Sequence, residues 1–216
     1  MTTKKIGFAA LWIGLAIYAF FFAPPNQPNT FELIKDMSLG EIDGINPLIV
    51  ALFYIMGVWP LIYSCVLFFD GRTQKIPAWV FATLSFGVGA FALLPYLFLR
   101  EPSKTFPGQK NAFLQLLDSR WTGIVLMIAA VLLVAYGVTN GDWGDYIYQW
   151  RTNRFIHVMS IDFCLLCLLF PALLGDDMAR RGLDSQLYWV TALIPLFGPL
   201  IYLCVRPPLR VLNFEF

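Results

Sequence analysis

Apolar residues fall into six long runs along the chain, and shorter polar segments separate them. The runs cover residues 6–23, 47–69, 77–99, 121–138, 156–175 and 187–205. Each run is close to the roughly 20 residues that a helix needs to cross the hydrocarbon core of a bilayer. The pattern predicts an all-α fold, a polytopic transmembrane helical bundle of about six spans. We expect residues 1–216 to form a single integral membrane domain.

The first run has the position of a signal peptide but lacks a cleavage site. It follows Lys4 and Lys5 and ends with Phe21, Phe22 and Ala23 before two prolines. A cleavage site needs small residues in an A-x-A-like pattern, and here a bulky residue occupies the −3 position. We therefore expect a retained first transmembrane helix.

Composition supports the membrane class. Of the 216 residues, 58% are hydrophobic and 13% are charged, with a mean hydropathy of +0.66, whereas soluble domains carry about 25% charged residues. The net charge of +1 gives no basic field for nucleic acid. The expected partners are membrane lipids, and a membrane-protein complex or homo-oligomer.

The positive charges of the loops barely distinguish the two possible orientations in the membrane. Under the six-span prediction, eight Lys and Arg residues fall on the side of Lys4 and Lys5, and seven fall on the other. The flanking lysines of the first helix and the acidic loop that follows it favour both termini inside.

A shift of the chain by 106 residues without gaps pairs one half with the other. It places Tyr96 on Tyr202 and Arg100 on Arg206, and it pairs Asp70 with Asp176. If the pairing reflects ancestry, it predicts a two-fold repeat of three helices, and an odd number of spans per copy would orient the copies oppositely. The alternative is convergence, because membrane hairpins often have a charged turn and a Tyr/Arg anchor.

The run at 156–175 differs from the other five because it contains an acidic and a basic residue. Asp162 lies well inside it, and His157, the single histidine of the chain, lies near its start. A charge in hydrocarbon costs several kcal/mol, so such residues are functional candidates. Residues five positions apart are separated by about 140° around the helix axis, so the two side chains lie on different faces. We expect His157 at the water interface and Asp162 in the interior.

Asp162 needs a partner from another helix, or a proton. The candidate partners are polar residues of the other runs: Tyr54, Tyr63, Ser64, Ser85, Thr191 and Tyr202. The alternative to a functional role is a buried hydrogen bond that locks helix packing. Asp162 and His157 are the catalytic candidates. The candidates for substrate or partner contact are Arg154, Ser160, Asp176, Asp177, Arg181 and Tyr202.

The acidic and basic residues at 176–181 are four apart, which favours i,i+4 ion pairs. They predict a solvated helix end, or a contact with a lipid headgroup or substrate. No second histidine or carboxylate lies at ligand spacing from His157, so no metal site is predicted. No cofactor is predicted either, although a pigment or a lipid would suit the apolar interior.

Four segments form a recognisable set: FGVGAFALLPY at 86–96, RFIHVMSIDF at 154–163, Asp177 with Met178, and IPLFGPLIY at 194–202, followed by Arg206 and Pro207. Together they resemble an uncharacterised family of multi-span membrane proteins from cyanobacteria and plant chloroplasts. The resemblance covers most of the chain after residue 45. It implies a thylakoid or plasma membrane location and carries no activity.

The last third combines His157 and Asp162, a charged turn, and the segment FGPLIYL followed by Arg206. In these residues it is similar to neoxanthin-synthase-like membrane proteins, which modify carotenoids. It implies an active site at His157 and Asp162, with Asp162 protonating an epoxide. This chain is of different length and has two or three extra runs.

The sequence therefore supports three hypotheses. The first is a non-enzymatic protein of a photosynthetic membrane that acts in assembly, partner binding or small-solute movement. The second is a pigment isomerase with Asp162 as general acid. The third is a small proton-linked transporter with Asp162 as the proton carrier.

Overall fold

The computed structural model describes residues 3–183 and 186–209, and the regular elements in these two ranges are helices. They are α1 (Thr3–Ile17), α2 (Thr30–Leu39), α3 (Pro47–Asp70), α4 (Ala78–Val88), α5 (Ala90–Leu99), α6 (Ala112–Asp118), α7 (Arg120–Asn140), α8 (Trp143–Thr152), α9 (Arg154–Leu169), α10 (Pro171–Arg180), α11 (Gln186–Leu193) and α12 (Phe197–Val205).

Four helical segments of the described chain are long and apolar enough to cross a membrane. They are Thr3–Phe22, Pro47–Thr73, Arg120–Asn140 and Arg154–Arg180. The first continues α1 through a π-helical turn at Tyr18–Phe22. The last joins α9 and α10 across a break just before Pro171, which has no N–H to continue the ladder. These four segments are compatible with an integral membrane protein.

The apolar segment 77–99 turns back on itself. It is divided at Gly89, where φ is +48°, into the short helices α4 and α5. The chain on either side meets at one end of the bundle, because the Gln74 side chain donates to the Glu101 carbonyl at 2.7 Å and accepts from the Glu101 N–H at 2.7 Å. The segment is thus a hairpin of two half-helices.

The segment 187–205 has the same form. It is divided between α11 and α12, where Leu196 has a φ of +59°. Tyr188, early in α11, donates to the Pro171 carbonyl at 3.4 Å, and Tyr202, late in α12, donates to Asp177 at 2.7 Å. Both ends of this hairpin therefore lie beside α10. The prediction of about six spans is not confirmed, because each of these segments returns to the end where it began.

Buried ion pairs gather at the end of the bundle where both hairpins start and finish. Asp70 accepts hydrogen bonds from Tyr96 at 2.6 Å, from Arg100 at 2.6 and 2.8 Å, and from Arg180 at 2.6 Å. We call this end the charged end, and it also contains Lys5, which pairs with Glu101.

A second cluster at the charged end surrounds Asp177. This carboxylate accepts from Tyr202 at 2.7 Å, Arg181 at 2.9 Å and Arg206 at 3.1 Å. Asp176 pairs with Arg100 and so links the two clusters. The side chains of Asp177 and Arg181 are 0% exposed, so the expected solvated helix end is wrong. The i,i+4 spacing gives the ion pair, but the hairpin α11–α12 covers it.

Both clusters lie at the charged end, so the two halves of the chain run in the same direction. Each half has two long apolar segments followed by one hairpin. The opposite orientation that three spans per half would require is therefore not found.

The other end of the bundle, which we call the cavity end, joins the start of α3 and α9 to the interfacial helix α8. Asn46 caps α3 and donates to the Asp142 carbonyl and to Asp145, both at 2.7 Å. Gln27 donates to the Thr152 carbonyl at 2.8 Å. The segment 140–151, predicted to lie in the headgroup layer, forms α8, which buries none of its residues.

Candidate functional site

Asp162 projects from the middle of α9 onto the tip of the hairpin α4–α5. Its side chain is buried, and its Oδ1 accepts a hydrogen bond of 2.8 Å from the backbone N–H of Ala90, the first residue of α5. The first N–H groups of a helix have no partner within the helix. Asp162 supplies that partner from another helix, and its negative end meets the positive end of the α5 dipole. The partner is therefore a backbone group rather than one of the predicted side chains.

Gly89 makes this contact sterically feasible. A Cβ built on Gly89 would lie 1.7 Å from Asp162 Oδ2, well inside contact distance, and the φ of +48° is one that side chains disfavour. The backbone of the hairpin tip can thus approach the carboxyl group only because residue 89 has no side chain.

Asp162 also lies at the inner end of a cavity of about 550 Å³. This volume is within the roughly 300–1,000 Å³ that is usual for small-molecule sites. The cavity lies between the π-helical turn, α3, the tip of α4–α5, and α9. It is lined by Ala19, Phe20, Asn26, Thr30, Phe53, Tyr54, Met56, Gly57, Ser85, Phe86, Gly87, Val88, Gly89, Phe91, Arg154, Phe155, Val158, Met159 and Asp162.

The cavity opens to the side of the bundle. Two of its lining residues, Phe20 and Phe86, are 69% and 52% exposed, and they come from the π-helical turn and from α4. In a membrane these phenylalanine rings would contact lipid tails. A molecule dissolved in the bilayer could therefore enter between them.

Most polar side chains of the lining already have partners within the protein. Tyr54 donates to the Met37 carbonyl at 2.8 Å, Ser85 to the Ala82 carbonyl at 2.7 Å, and Thr30 to the Gln27 carbonyl at 2.8 Å. In the described part of the chain, Asp162 Oδ2 has no hydrogen-bond donor. Asp162 is therefore the group of the inner end that remains able to bind a ligand.

Arg154 is the basic residue of the lining and lies at its outer end. Its Nε donates to the Pro24 carbonyl at 2.9 Å, which holds the side chain beside the cavity mouth. Its two terminal nitrogens form no hydrogen bond or ion pair with any other described residue. Arg154 and Asp162 are eight positions apart on α9, a rise of about 12 Å.

His157, which the sequence predicted to lie at the water interface, is buried between aromatic rings. Its Nδ1 is 2.8 Å from the Trp150 carbonyl, and its Nε2 is 2.8 Å from the Tyr18 hydroxyl. Because the carbonyl can only accept, Nδ1 carries the proton and Nε2 accepts from Tyr18 in the neutral ring. The Trp150 ring is 4.5 Å away, centroid to centroid. His157 thereby ties the π-helical turn to α8 and does not line the cavity.

The remaining candidates lie outside the cavity. Ser160 faces α8, where its hydroxyl is 2.9 Å from that of Tyr146. The other four, at the charged end, are Asp176, Asp177, Arg181 and Tyr202. Of the predicted site residues, the structure thus brings Asp162 and Arg154 into one cavity.

Sequence reasoning missed the part of the site contributed by the hairpin tip. Gly89 and the N–H of Ala90 form the contact with Asp162, and their signal was the glycine pair of Gly87 and Gly89 in the middle of an apolar run. A glycine pair there marks a bend, but it does not say which helix the bend approaches.

No group of three His, Cys, Asp or Glu side chains within residues 3–183 and 186–209 is arranged to hold a metal ion. Comparisons of the chain with protein-family models, with curated proteins and with solved structures found no match.

Proposed function

We propose that the protein is an integral membrane protein that binds a lipid-soluble small molecule in the cavity between the π-helical turn, α3, α4 and α9. The observation that carries the proposal is the cavity of about 550 Å³ with the Asp162 carboxyl group at its inner end. An apolar cavity with a few convergent polar groups is the usual form of a ligand site.

The lining favours a ligand from the bilayer over a hydrophilic solute. Phenylalanine, methionine, valine and glycine supply most of the wall, and the exposed rings of Phe20 and Phe86 flank its lateral opening. Asp162 fixes one end of the ligand by a hydrogen bond, because Oδ2 has no donor in the described part of the chain. This is the pigment or lipid class that the apolar interior suggested.

The test is to fill the cavity with a side chain and to look for a lost ligand. A Cβ on Gly57, which lines the cavity, would meet no atom within 4 Å, so Gly57→Phe places a ring in the open space. Gly7→Phe is the matched control, because Gly7 is also helical with open space around it but does not line the cavity.

We expect the wild-type protein, purified in mild detergent, to carry a small molecule that mass spectrometry detects in the extract. Gly7→Phe should carry it in the same ratio and Gly57→Phe should lose it. Equal recovery of the molecule from both variants would reject the cavity as the binding site.

A second candidate function is acid catalysis on the bound molecule, favoured by the placement of Asp162 Oδ2 in the cavity. A protonated Asp162 would give its proton to an epoxide oxygen as the C–O bond breaks, and its carboxylate would then take a proton from a neighbouring carbon. Such an isomerisation is balanced without another reactant. Asp162→Asn should keep the ligand but stop its conversion; retained conversion by this variant would exclude the mechanism. Proton-linked transport stays a prediction.

The proposed orientation puts the charged end on the cytoplasm-facing side. The described residues place eleven Lys and Arg at the charged end and three at the cavity end, and Arg210 lies outside them. The eleven are Lys4, Lys5, Arg72, Lys75, Arg100, Lys104, Lys110, Arg120, Arg180, Arg181 and Arg206, and the three are Lys35, Arg151 and Arg154. The nearly equal Lys and Arg counts predicted from sequence become unequal because both hairpins return to the charged end. The positive-inside rule then favours the end with more Lys and Arg as the cytoplasmic one.

Cysteine labelling tests this orientation in a background with the native cysteines replaced. A membrane-impermeant thiol reagent added outside intact cells should label Asn140→Cys, at the cavity end, and leave Ser103→Cys, at the charged end, unlabelled. The reverse pattern would overturn the proposed orientation. A thylakoid or plasma membrane location and a membrane-protein complex or homo-oligomer also stay predictions.

We also propose that the two halves are copies in the same orientation. The support is that Tyr96 and Arg100 hold Asp70 as Tyr202 and Arg206 hold Asp177. The Tyr and Arg pairs keep the spacing of 106 residues, but Asp177 takes the role that the ungapped shift gave to Asp176. Sequence profiles built from relatives of each half should align at this spacing; profiles that align no better than unrelated membrane hairpins would reject ancestry.

A further inference from the structure

We infer that the molecule bound in the cavity has an anionic head, held by Arg154 at the cavity mouth, and an oxygen at its far end that meets Asp162. This inference rests on the proposed ligand site and names the chemical class of its occupant. It follows from the two ends of the cavity, which differ in charge and in depth.

The outer end is built to receive a negative charge. The Arg154 guanidinium lines the mouth, its Nε is fixed by the Pro24 carbonyl at 2.9 Å, and no acidic side chain among the described residues pairs with it. Its two terminal nitrogens are therefore available as a fork for a carboxylate or a phosphate. Asn26 and Thr30 line the same end and add neutral polar groups.

The inner end requires a neutral polar group instead. Asp162 is the acidic residue of the lining, and a second anion beside its carboxyl group would be repelled. A plain alkyl end there would leave Asp162 Oδ2 without a partner. A hydroxyl group satisfies it by donating a hydrogen bond to this oxygen.

The distance between the ends sets the length of the apolar body. The rise along α9 from Arg154 to Asp162 is about 12 Å, and the α9 residues that line the cavity between them, Phe155, Val158 and Met159, are apolar. The anionic head then lies near the bilayer surface and the far oxygen near the middle of the hydrocarbon core, which is about 30 Å thick.

The exposed edge of the cavity explains how such a molecule reaches the site. An amphiphile in the leaflet at the cavity end has its head at the depth of Arg154 and its chain beside the rings of Phe20 and Phe86. It can enter sideways without removing its head from the interface.

The test compares pairs of probes that differ only in the head. One is a single-chain carboxylate with a terminal hydroxyl, and the other is the diol of the same length. Binding to the wild-type protein in non-ionic detergent is followed by native mass spectrometry. A charge-assisted hydrogen bond contributes about 1.5–3 kcal/mol, so we expect the carboxylate to bind about 10- to 100-fold more tightly than the diol.

Variants of Arg154 test whether this residue causes the preference for the carboxylate over the diol. Arg154→Gln should reduce it to within about threefold, while Arg154→Lys, which keeps the charge but loses the planar fork, should retain only part of it. The diol should bind equally to all three proteins. A third probe replaces the carboxylate of the same chain with a phosphate monoester. Whichever of the two probes binds more tightly identifies the anionic group that the site prefers.

The outcomes separate the inference from the proposed function. If Gly57→Phe removes a co-purified molecule but the diol binds wild type as tightly as the carboxylate, the cavity is a ligand site and the anionic head is wrong. The inference of an anionic head is also wrong if Arg154→Gln weakens the binding of the carboxylate and of the diol by the same factor. If no molecule co-purifies and neither probe binds, the proposed function itself fails.

Discussion

The substitution Gly89→Ala tests the contact on which the cavity depends. Its Cβ would lie 1.7 Å from Asp162 Oδ2, so either the hairpin tip or the Asp162 side chain must move. Movement of either breaks the 2.8 Å hydrogen bond from Ala90 N–H and leaves a buried N–H unpaired, which costs about 1–3 kcal/mol. Holding alanine at a φ of +48° adds about 1–3 kcal/mol.

The sum, about 2–6 kcal/mol, is measurable by thermal unfolding in detergent. At roughly 3 °C per kcal/mol for a chain of this size, the melting temperature should fall by about 6–18 °C. The control is Gly87→Ala, two residues away, where a Cβ meets nothing within 4 Å and φ is not positive. Alanine at position 87 should leave stability unchanged or raise it by up to about 1 kcal/mol.

A double-mutant cycle separates the contact from the backbone strain. In an Asp162→Ala background the carboxyl group is gone, so Gly89→Ala should cost only the strain, about 1–3 kcal/mol. If Gly89→Ala costs the same in both backgrounds, or if Gly87→Ala costs as much as Gly89→Ala, the packing of Asp162 against the hairpin tip is not the reason for the glycine.

Three further predictions follow from the buried polar groups. Asp162→Asn keeps an acceptor for Ala90 N–H and should unfold close to wild type, whereas Asp162→Leu should lose about 1–3 kcal/mol in the same assay. Asp177→Asn removes a charge from a fully buried cluster and should lose about 3–5 kcal/mol, against no measurable loss for the exposed control Glu32→Gln. Burial alone would raise the pKa of Asp118, but the charges of Arg181 and Lys110 outweigh it and hold this pKa below its ordinary value. The stability from Asp118 is therefore complete above the unfolded-state pKa of about 4 and is lost as pH falls through the lower folded-state pKa. Asp118→Asn should flatten that acid limb of a melting-temperature profile, and an unchanged limb would contradict the assignment.

The sequence predicted the helical class because apolar runs of membrane length leave few alternatives. It could not predict that two of the runs turn back. The runs at 77–99 and 187–205 have the length and hydropathy of spans, and what divides them is a local break at Gly89 and at Leu196. A glycine or a proline inside a membrane helix is also compatible with a kink, so the pattern alone does not separate a kinked span from a hairpin.

The candidate site was predicted in part. Asp162 and Arg154 were identified because charges in or beside an apolar run are costly, a rule that needs no tertiary structure. The remainder depends on which helices meet. The Ala90 N–H leaves no mark in the sequence, since every residue except proline carries one. The burial of His157 was missed because its position near the end of the run suggests water, while Trp150 and Tyr18, both outside that run, cover it.

The bond between Asp162 and Ala90 has a consequence for how the chain is made. Ribosomes deliver the tip of α4–α5 to the membrane 72 residues before they deliver the carboxyl group that caps it. Until then the N–H of Ala90, the first residue of α5, has no partner at a depth where lipid offers none. The nascent hairpin must therefore wait in a hydrated place, at the translocon or the membrane surface, until α9 arrives. Truncation after α7 should leave a fragment whose hairpin stays accessible to aqueous thiol reagents, while extension past α10 should make it inaccessible.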